Sequence, residues 1–465
     1  MESATAVADL MLFFAQMLKR ILKAVQDFGT SQDARSLEAE VEAQCKALGA
    51  VVLETCWRLR MKQLQRPMSL PCQCGRLKHW KECRPRVLRG VVGEMNMDER
   101  HYYRCEHCGA EEYWGDELRG QSDFTQLAED RIAVAGKEGA FKEGAETLRR
   151  MGVCHVAAST VRNVCMRLGT LLRAREGHEA AEQYGAPGAV AEERPGGLAV
   201  SVDGVMVGRV DVQHRKRQSQ QKGPVPGKSK LKHFFHEVKT LVVFGFDEGG
   251  EAVRKTYQAT QARVEEFREL VALEAQKRGA QRAEVLVFLG DGAAWVWKTA
   301  EENFPKAIKV LDWYHAMEHV WAVGRARFGN KEKELWAWVT RRENELWEGR
   351  VEEVITAIRA ISQKLGTPLA TLSENERLND PRWIAYRNIG YFEENKERMR
   401  YPEYRAQNLP IGSGVVESAC KHVVAHRCKR SGMRWDEDGA ENILALRCQD
   451  LNGRWDEIWS TKKAA

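Results

Sequence analysis

What this sequence lacks narrows it quickly. The N-terminal apolar run "LMLFFAQML" (residues 10–18) falls short of the roughly 20 residues that a spanning helix needs, and Lys19 and Arg20 follow it at once. A basic leader and a small-residue cleavage site are also missing, which excludes a secretory signal. The expectation is a cytoplasmic protein with no membrane partner, residues 7 to 28 forming an amphipathic helix. Disorder is excluded by 43% hydrophobic and 30% charged residues, an ordinary globular balance. In a reducing compartment the twelve cysteines are expected as thiols or metal ligands rather than disulfides. A phosphate-cradling Walker loop is absent too: "GDGAAWVWKT" ends in Lys-Thr, but Trp297 stands where glycine is required.

At 465 residues the length implies about three domains. Residues 1–66 are expected as a helical region. Within 67–120, Cys105-Glu-His-Cys108 has the spacing of a zinc knuckle. Its partner Cys72-Gln-Cys74 is one residue tighter than usual, which makes Cys83 an alternative ligand. Four thiolates would close the shell of one structural Zn²⁺; the competing reading is a metal-free hairpin with buried thiols. In 121–184, "FKEGAETLRRMGVCHVAASTVRNVC" turns at Gly152 and restarts near Ser159. That resembles helix-turn-helix spacing, with Thr160, Arg162 and Asn163 as groove-facing candidates; an ordinary helical hairpin is the alternative. Residues 185–197, "GAPGAVAEERPGG", form a linker. Beyond it, strand-like alternation mixes with helices over 198–320, giving an α/β layer architecture. A tryptophan-rich helical insertion over 321–405 follows, then a last segment, 406–465.

Carboxylates interrupt two of those strands. Asp203 follows "LAVSV", Asp291 follows "VLVFLG", and each precedes a glycine that leaves room for close approach by a ligand. A single such acid is usually a turn former, and a strand is a costly place for a charge without a partner. Late in the chain, "LPIGSGVVESACKHVVAHRCKR" carries one acid, Glu417. Its bland role is to suit the helix dipole and pair with Lys421 four residues on. Three separated carboxylates have one shared explanation: two Mg²⁺ (or Mn²⁺) ions about 4 Å apart, serving phosphoryl transfer. Two basic segments agree. Lys421, Arg427 and Arg430 follow Glu417, and residues 212–232 hold seven lysines and arginines, Arg215, Lys216 and Arg217 among them, with no acid. Both are candidate DNA-phosphate contacts. The formal net charge of only +6 therefore matters through its location.

The motifs "SVDG", "LGDGAAW", "LDWYHAMEH", "MRYPEYRAQNLPIGSGVVESACKHVV" and "RSGMRW" resemble the ISKra-type family of bacterial insertion-sequence transposases, over most of the chain. The resemblance implies a DDE transposase with a ribonuclease-H-like core interrupted by an all-helical insertion. Its catalytic triad would be Asp203, Asp291 and Glu417. Asp312-Trp-Tyr-His315 is similar to a D-x-x-H element of Mutator-like and hAT transposases, and would support the site from behind the ligands. Implied partners are double-stranded DNA, both terminal inverted repeats and target, and further copies of the chain, in a protein associated with the bacterial nucleoid when bound. The tight Cys72-x-Cys74 pair departs from the family pattern.

Two other functions compete. A DNA-binding regulator derived from a transposase would need no catalysis, yet all three acids are present. His315-Ala-Met-Glu318-His319 matches the H-x-x-E-H of some zinc metalloproteases, but that reading leaves Asp203, Asp291 and Glu417 unexplained.

Overall fold

In a computed structural model, the described residues are 2–28, 34–98, 100–115, 118, 122–184, 195–210 and 234–459. They form a mixed α/β protein that divides into two compact units, one ending at Leu168 and the other beginning at Gly169. The division falls within a helix. Most of the expected linker, and the basic loop with Arg215, Lys216 and Arg217, lie outside the described residues. Among the described residues no helix is long and apolar enough to cross a membrane.

The first unit opens with helices α1 (Glu2–Phe28) and α2 (Ala34–Gln63). Next come six short strands: β1 (Ser69–Pro71), β2 (Leu77–Cys83), β3 (Arg86–Gly90), β4 (Gly93–Met97), β5 (His101–Arg104) and β6 (Glu111–Trp114). They build a sheet of order β1-β2-β5-β6 and a separate β3-β4 hairpin. The hairpin packs on α2, burying Ala50, Trp57 and Met61 with Leu88, Met95 and Met97. Trp57 donates its indole N–H to the Gly115 carbonyl at 2.9 Å, so the largest side chain of this core leaves no polar orphan.

Helices α3 (Gln126–Glu138), α4 (Phe141–Arg150) and α5 (Ala158–Gln183) follow. Small residues set their spacing. A Cβ on Gly136 would meet Val161 of α5 at 2.8 Å, and one on Gly144 would meet the Ala135 carbonyl at 2.9 Å. α4 ends at Gly152 in left-handed conformation (φ +64°), as glycine allows. The connection to α5 spans residues 151–157, longer than the three or four of a compact helix-turn-helix. Arg162 and Asn163 are exposed and Thr160 is half-buried.

The second unit is organised by a five-stranded sheet of order β11-β10-β7-β8-β9. Its strands are β7 (Gly197–Arg209), β8 (Phe234–Phe246), β9 (Ala252–Thr260), β10 (Val285–Gly290) and β11 (Ile308–Leu311). β8 runs antiparallel to β7 and β9, while β7, β10 and β11 are parallel to one another. The continuous apolar stretches Leu198–Val202, Leu241–Phe244 and Val287–Leu289 are buried or nearly so, as strands covered on both faces must be. Helices α6 (Val264–Lys277) and α7 (Ala294–Asn303) connect the strands.

A run of helices follows β11 and crosses the expected boundary at position 321. α8 (Trp313–Phe328) starts directly after β11, followed by α9 (Glu332–Trp347), α10 (Val351–Leu365), α11 (Glu374–Asn379), α12 (Pro381–Asn395) and α13 (Tyr401–Ala406). Aromatic contacts join these helices: the Trp313 ring lies 5.1 Å from Trp347 and 4.9 Å from Tyr401, both edge-on. The chain then returns to the sheet through α14 (Gly414–Ala419), a π-helical stretch Cys420–Ala425, and α15 (His426–Cys428), and continues into α16 (Glu437–Leu451) and a short 3₁₀ turn, Trp455–Ile458.

Candidate functional site

Strand register brings distant acids together. Along the parallel pair, Val285 stands opposite Gly197 and Leu289 opposite Ser201. Two residues further, the same register sets Asp291 beside Asp203. Between β10 and β11, Gly290 faces Leu311, so one step on Asp291 lies beside Asp312. Asp203, midway along β7, thus stands level with Asp291 and Asp312, which lie just past the ends of β10 and β11, where sites gather in open α/β sheets.

Helix α8 adds the fourth group. Asp312, fully buried, caps the helix by accepting the His315 backbone N–H at 2.8 Å, and its Oδ1 lies 3.2 Å from His315 Nδ1. Its other oxygen accepts the Ser413 backbone N–H, tying α8 to the loop before α14. Held this way, His315 joins Asp203 and Asp291 in a cluster whose ligand atoms all lie within 4.8 Å of one another. From the sequence alone, His315 is expected only in a supporting position. Its signal was the i,i+3 spacing from Asp312, which lets a capping acid hold the ring one turn into the helix.

Glu417 is not a member of that cluster. Its Oε1 accepts the Ser413 hydroxyl at 2.8 Å, and it forms no ion pair with Lys421. It stays linked to the site through its helix. α14 packs on β7 and β8, and the buried Cys420 thiol, three residues on, donates to Asp203 Oδ2 at 3.5 Å. Cys420 was not foreseen, because a lone cysteine in a basic helix carries no spacing signal.

The electrostatics follow from burial and crowding. Desolvation raises the Asp203 carboxyl, partly offset by the Gly204 N–H and the His315 charge. The hydrogen bond to Asp312 pushes His315 up to about 9, with the charges of Asp312, Asp291 and Asp203 adding to it. Burial, then the Asp203 charge, push the Cys420 thiol up to about 12. Among the described residues no lysine or arginine pairs with Asp203 or Asp291; their polar contacts are the Gly204 N–H and Cys420 for one, the Ala293 N–H for the other.

The two glycines beside the acids have a different role from the ligand access expected of them. A Cβ on Gly204 would strike the Glu237 carboxylate, and one on Gly292 (φ +101°) would meet the Tyr391 ring at 2.6 Å. Tyr391 uses that space to donate to the Asp291 carbonyl at 2.9 Å. The glycines admit side chains of the protein itself.

Two readings are corrected. Arg427 has no exposed surface; its guanidinium lies 4.7 Å from the Trp435 ring centre, with Nη1 3.4 Å from Met433 Sδ. It supports packing and cannot meet a phosphate there, whereas Lys421 and Arg430 are exposed. The His-x-x-Glu-His zinc reading also fails. His319 stacks on Tyr391 at 3.6 Å and Nδ1 faces Asn388, so it does not join His315 and Glu318 in any metal-ligand cluster of the described residues.

The thiol cluster of the first unit is a separate candidate centre. Cys72 and Cys74 sit on the β1–β2 turn, Cys105 and Cys108 on the β5–β6 turn, and β2 pairs antiparallel with β5, so both turns share one end of the sheet. Their sulfurs are 3.4 Å (Cys72–Cys108), 3.5 Å (Cys72–Cys74) and 3.7 Å (Cys74–Cys105) apart. Four sulfurs each about 2.3 Å from one Zn²⁺ would be about 3.8 Å apart, so the set fits a tetrahedral ion. The tight pair works because Gly75, at φ +81°, closes the turn, with the Cys72 N–H donating to the Arg76 carbonyl at 2.8 Å. Cys83 lies at the other end of β2, 3.3 Å from His101 Nδ1, and is not an alternative ligand. The Cys108 backbone pulls the Cys105 thiol down to about 6.

Compared with known proteins, the chain matches no family model and no curated protein.

Proposed function

We propose that this chain is a DDE-type transposase, cutting DNA at the ends of a mobile element and joining them to target DNA. The observation that carries the reading is the meeting of Asp203, Asp291 and His315 within 4.8 Å, with the Glu417 helix packed on the strand that bears Asp203. The mixed sheet, the helical segment after its last strand, and the return of the chain as α14 support the ribonuclease-H-like core that the family resemblance implies.

Two half-buried carboxylates with no lysine or arginine paired to them among the described residues fit a divalent cation. Asp203 and Asp291 would hold Mg²⁺ or Mn²⁺, with Glu417 as the further acid for a second ion. The imidazole beside them favours Mn²⁺, since nitrogen donors suit it better than Mg²⁺. When bound, such ions offset charge on the reacting phosphate and make the attacking oxygen more acidic. The remaining work belongs to the chain. Asp312 orients His315, whose positive charge sits against the two acids when no other cation is near. Exposed Lys421 and Arg430 offer charge to the DNA backbone. Water adds to a phosphodiester at the element end, the bond to the 3′ oxygen breaks, and the freed 3′-hydroxyl repeats the displacement on target DNA. The four thiols would hold one structural Zn²⁺, and the helices around Arg162 would bind element ends.

The test is nicking of supercoiled DNA carrying the native flanking sequences, with Mg²⁺, with Mn²⁺ and without metal. Asp203→Asn and Asp291→Asn should each abolish it while end binding survives. Undiminished cleavage in both variants removes this reading.

A further inference from the structure

Helix α1 has two apolar faces, and the described chain uses one of them. Met17 and Ala24 are buried, with Phe13 and Ile21 half-buried beside them, where α1 packs on α2. About a third of a turn around the helix, Met11, Ala15, Leu18, Leu22 and Val25 are all exposed. Their spacing is four, three, four, three. That is the heptad period of a seam between two helices, uninterrupted over two heptads. Phe14 widens the stripe. The larger members are between 41% and 65% exposed, an unusual state for so many apolar side chains on neighbouring turns.

Area decides what could cover the seam. Summed over Met11, Phe14, Leu18, Leu22 and Val25, the open surface is about 500 Å² per chain, in the upper part of what monomers leave exposed. Two such seams face to face would bury about 1,000 Å², the least that a specific interface needs. A two-fold contact needs one patch that complements itself, and a regular heptad stripe does so by interdigitating its own side chains. Gln16, Lys19, Arg20, Lys23 and Gln26 occupy the remaining arc, so the apolar surface ends at a polar border.

We propose that α1 is a dimerisation helix, the Met11–Val25 seam of one chain packing on the same seam of a second copy. The inference is independent of the proposed DNA chemistry. Sedimentation equilibrium of the full chain without DNA, at micromolar concentration, tests it. Wild type should sediment as a dimer. Leu18→Glu and Leu22→Glu should each raise the dimer dissociation constant at least about tenfold, with helix content by circular dichroism unchanged, because both side chains are exposed. Arg20→Glu, on the polar arc, should leave the dimer intact. A monomeric wild type, or variants as dimeric as wild type, overturns the proposal. So does a monomer that binds anionic vesicles through this helix, which would assign the seam to a lipid surface.

Discussion

The thiol cluster draws its four ligands from two hairpin turns about 30 residues apart, whereas the acid cluster draws three from the middle of one strand, the end of another and a helix, spread over more than 100 residues. The first is fixed locally: each turn positions its own pair, and one antiparallel pairing brings the two turns together. The second exists only when the register of three parallel strands is correct, since a one-residue slip would turn every side chain to the opposite face. The first can close its shell with protein ligands alone. The second offers three ligand atoms, so an ion held there would keep positions open. A closed shell of soft donors suits structure, and an open shell of oxygen donors suits chemistry.

The largest expected effect separates the two centres outright. Asp203→Asn or Asp291→Asn should lower metal-dependent DNA cleavage by about a thousandfold or more, the scale of losing charge stabilisation at a reacting phosphate. Zinc content should not change; loss of zinc in these variants would show the centres to be coupled. Next, Cys105→Ser should remove stoichiometric zinc and destabilise the first unit by several kcal/mol, because metal binding there is folding energy. Manganese binding at the acid cluster, read by electron paramagnetic resonance, should persist. A variant that keeps its zinc would show that the thiols are not its ligands.

Smaller effects sharpen the contrast. His315→Asn should lower Mn²⁺-supported cleavage about tenfold more than Mg²⁺-supported cleavage, since only the softer ion gains from the nitrogen. Equal losses with both ions would reduce His315 to a structural partner of Asp312. The mildest concerns pH. With Cys105 at about 6 against an ordinary value of 9.0, its contribution to metal-free stability is complete above pH 9 and disappears as pH falls through about 6. Denaturant titrations of the zinc-free protein from pH 9 to 5 should follow that fall, and Cys105→Ser should flatten it.

Much of this was legible because the signals are local. Cys-x-x-Cys followed by glycine marks a knuckle, alternation marked the strands around Asp203, and apolar runs marked the strand before Asp291. The misreadings arose where burial decides. Arg427 looks like its exposed neighbours Lys421 and Arg430 in a basic helix, and only the fold of 431–435 over it, with Trp435 against its guanidinium, removes it from the surface. Gly204 and Gly292 were assigned to ligand access because the sequence does not reveal that Glu237 and Tyr391 fill those spaces. His315 was undervalued, because spacing places it near Asp312 but cannot report which strand ends lie opposite.

The sequence by itself determined which residues could do chemistry: the thiol pairs, the acids that interrupt apolar strands, and the heptad stripe of α1. Each is a matter of neighbours in the chain, and local geometry follows from them. Only the tertiary structure decided which of these meet, placing Asp203 with Asp291 and His315, leaving Glu417 one helical turn from a residue that touches Asp203, and withdrawing Arg427 into the core. Such meetings depend on strand register and on exclusion of water from a shared interior, and both are properties of the whole packed chain.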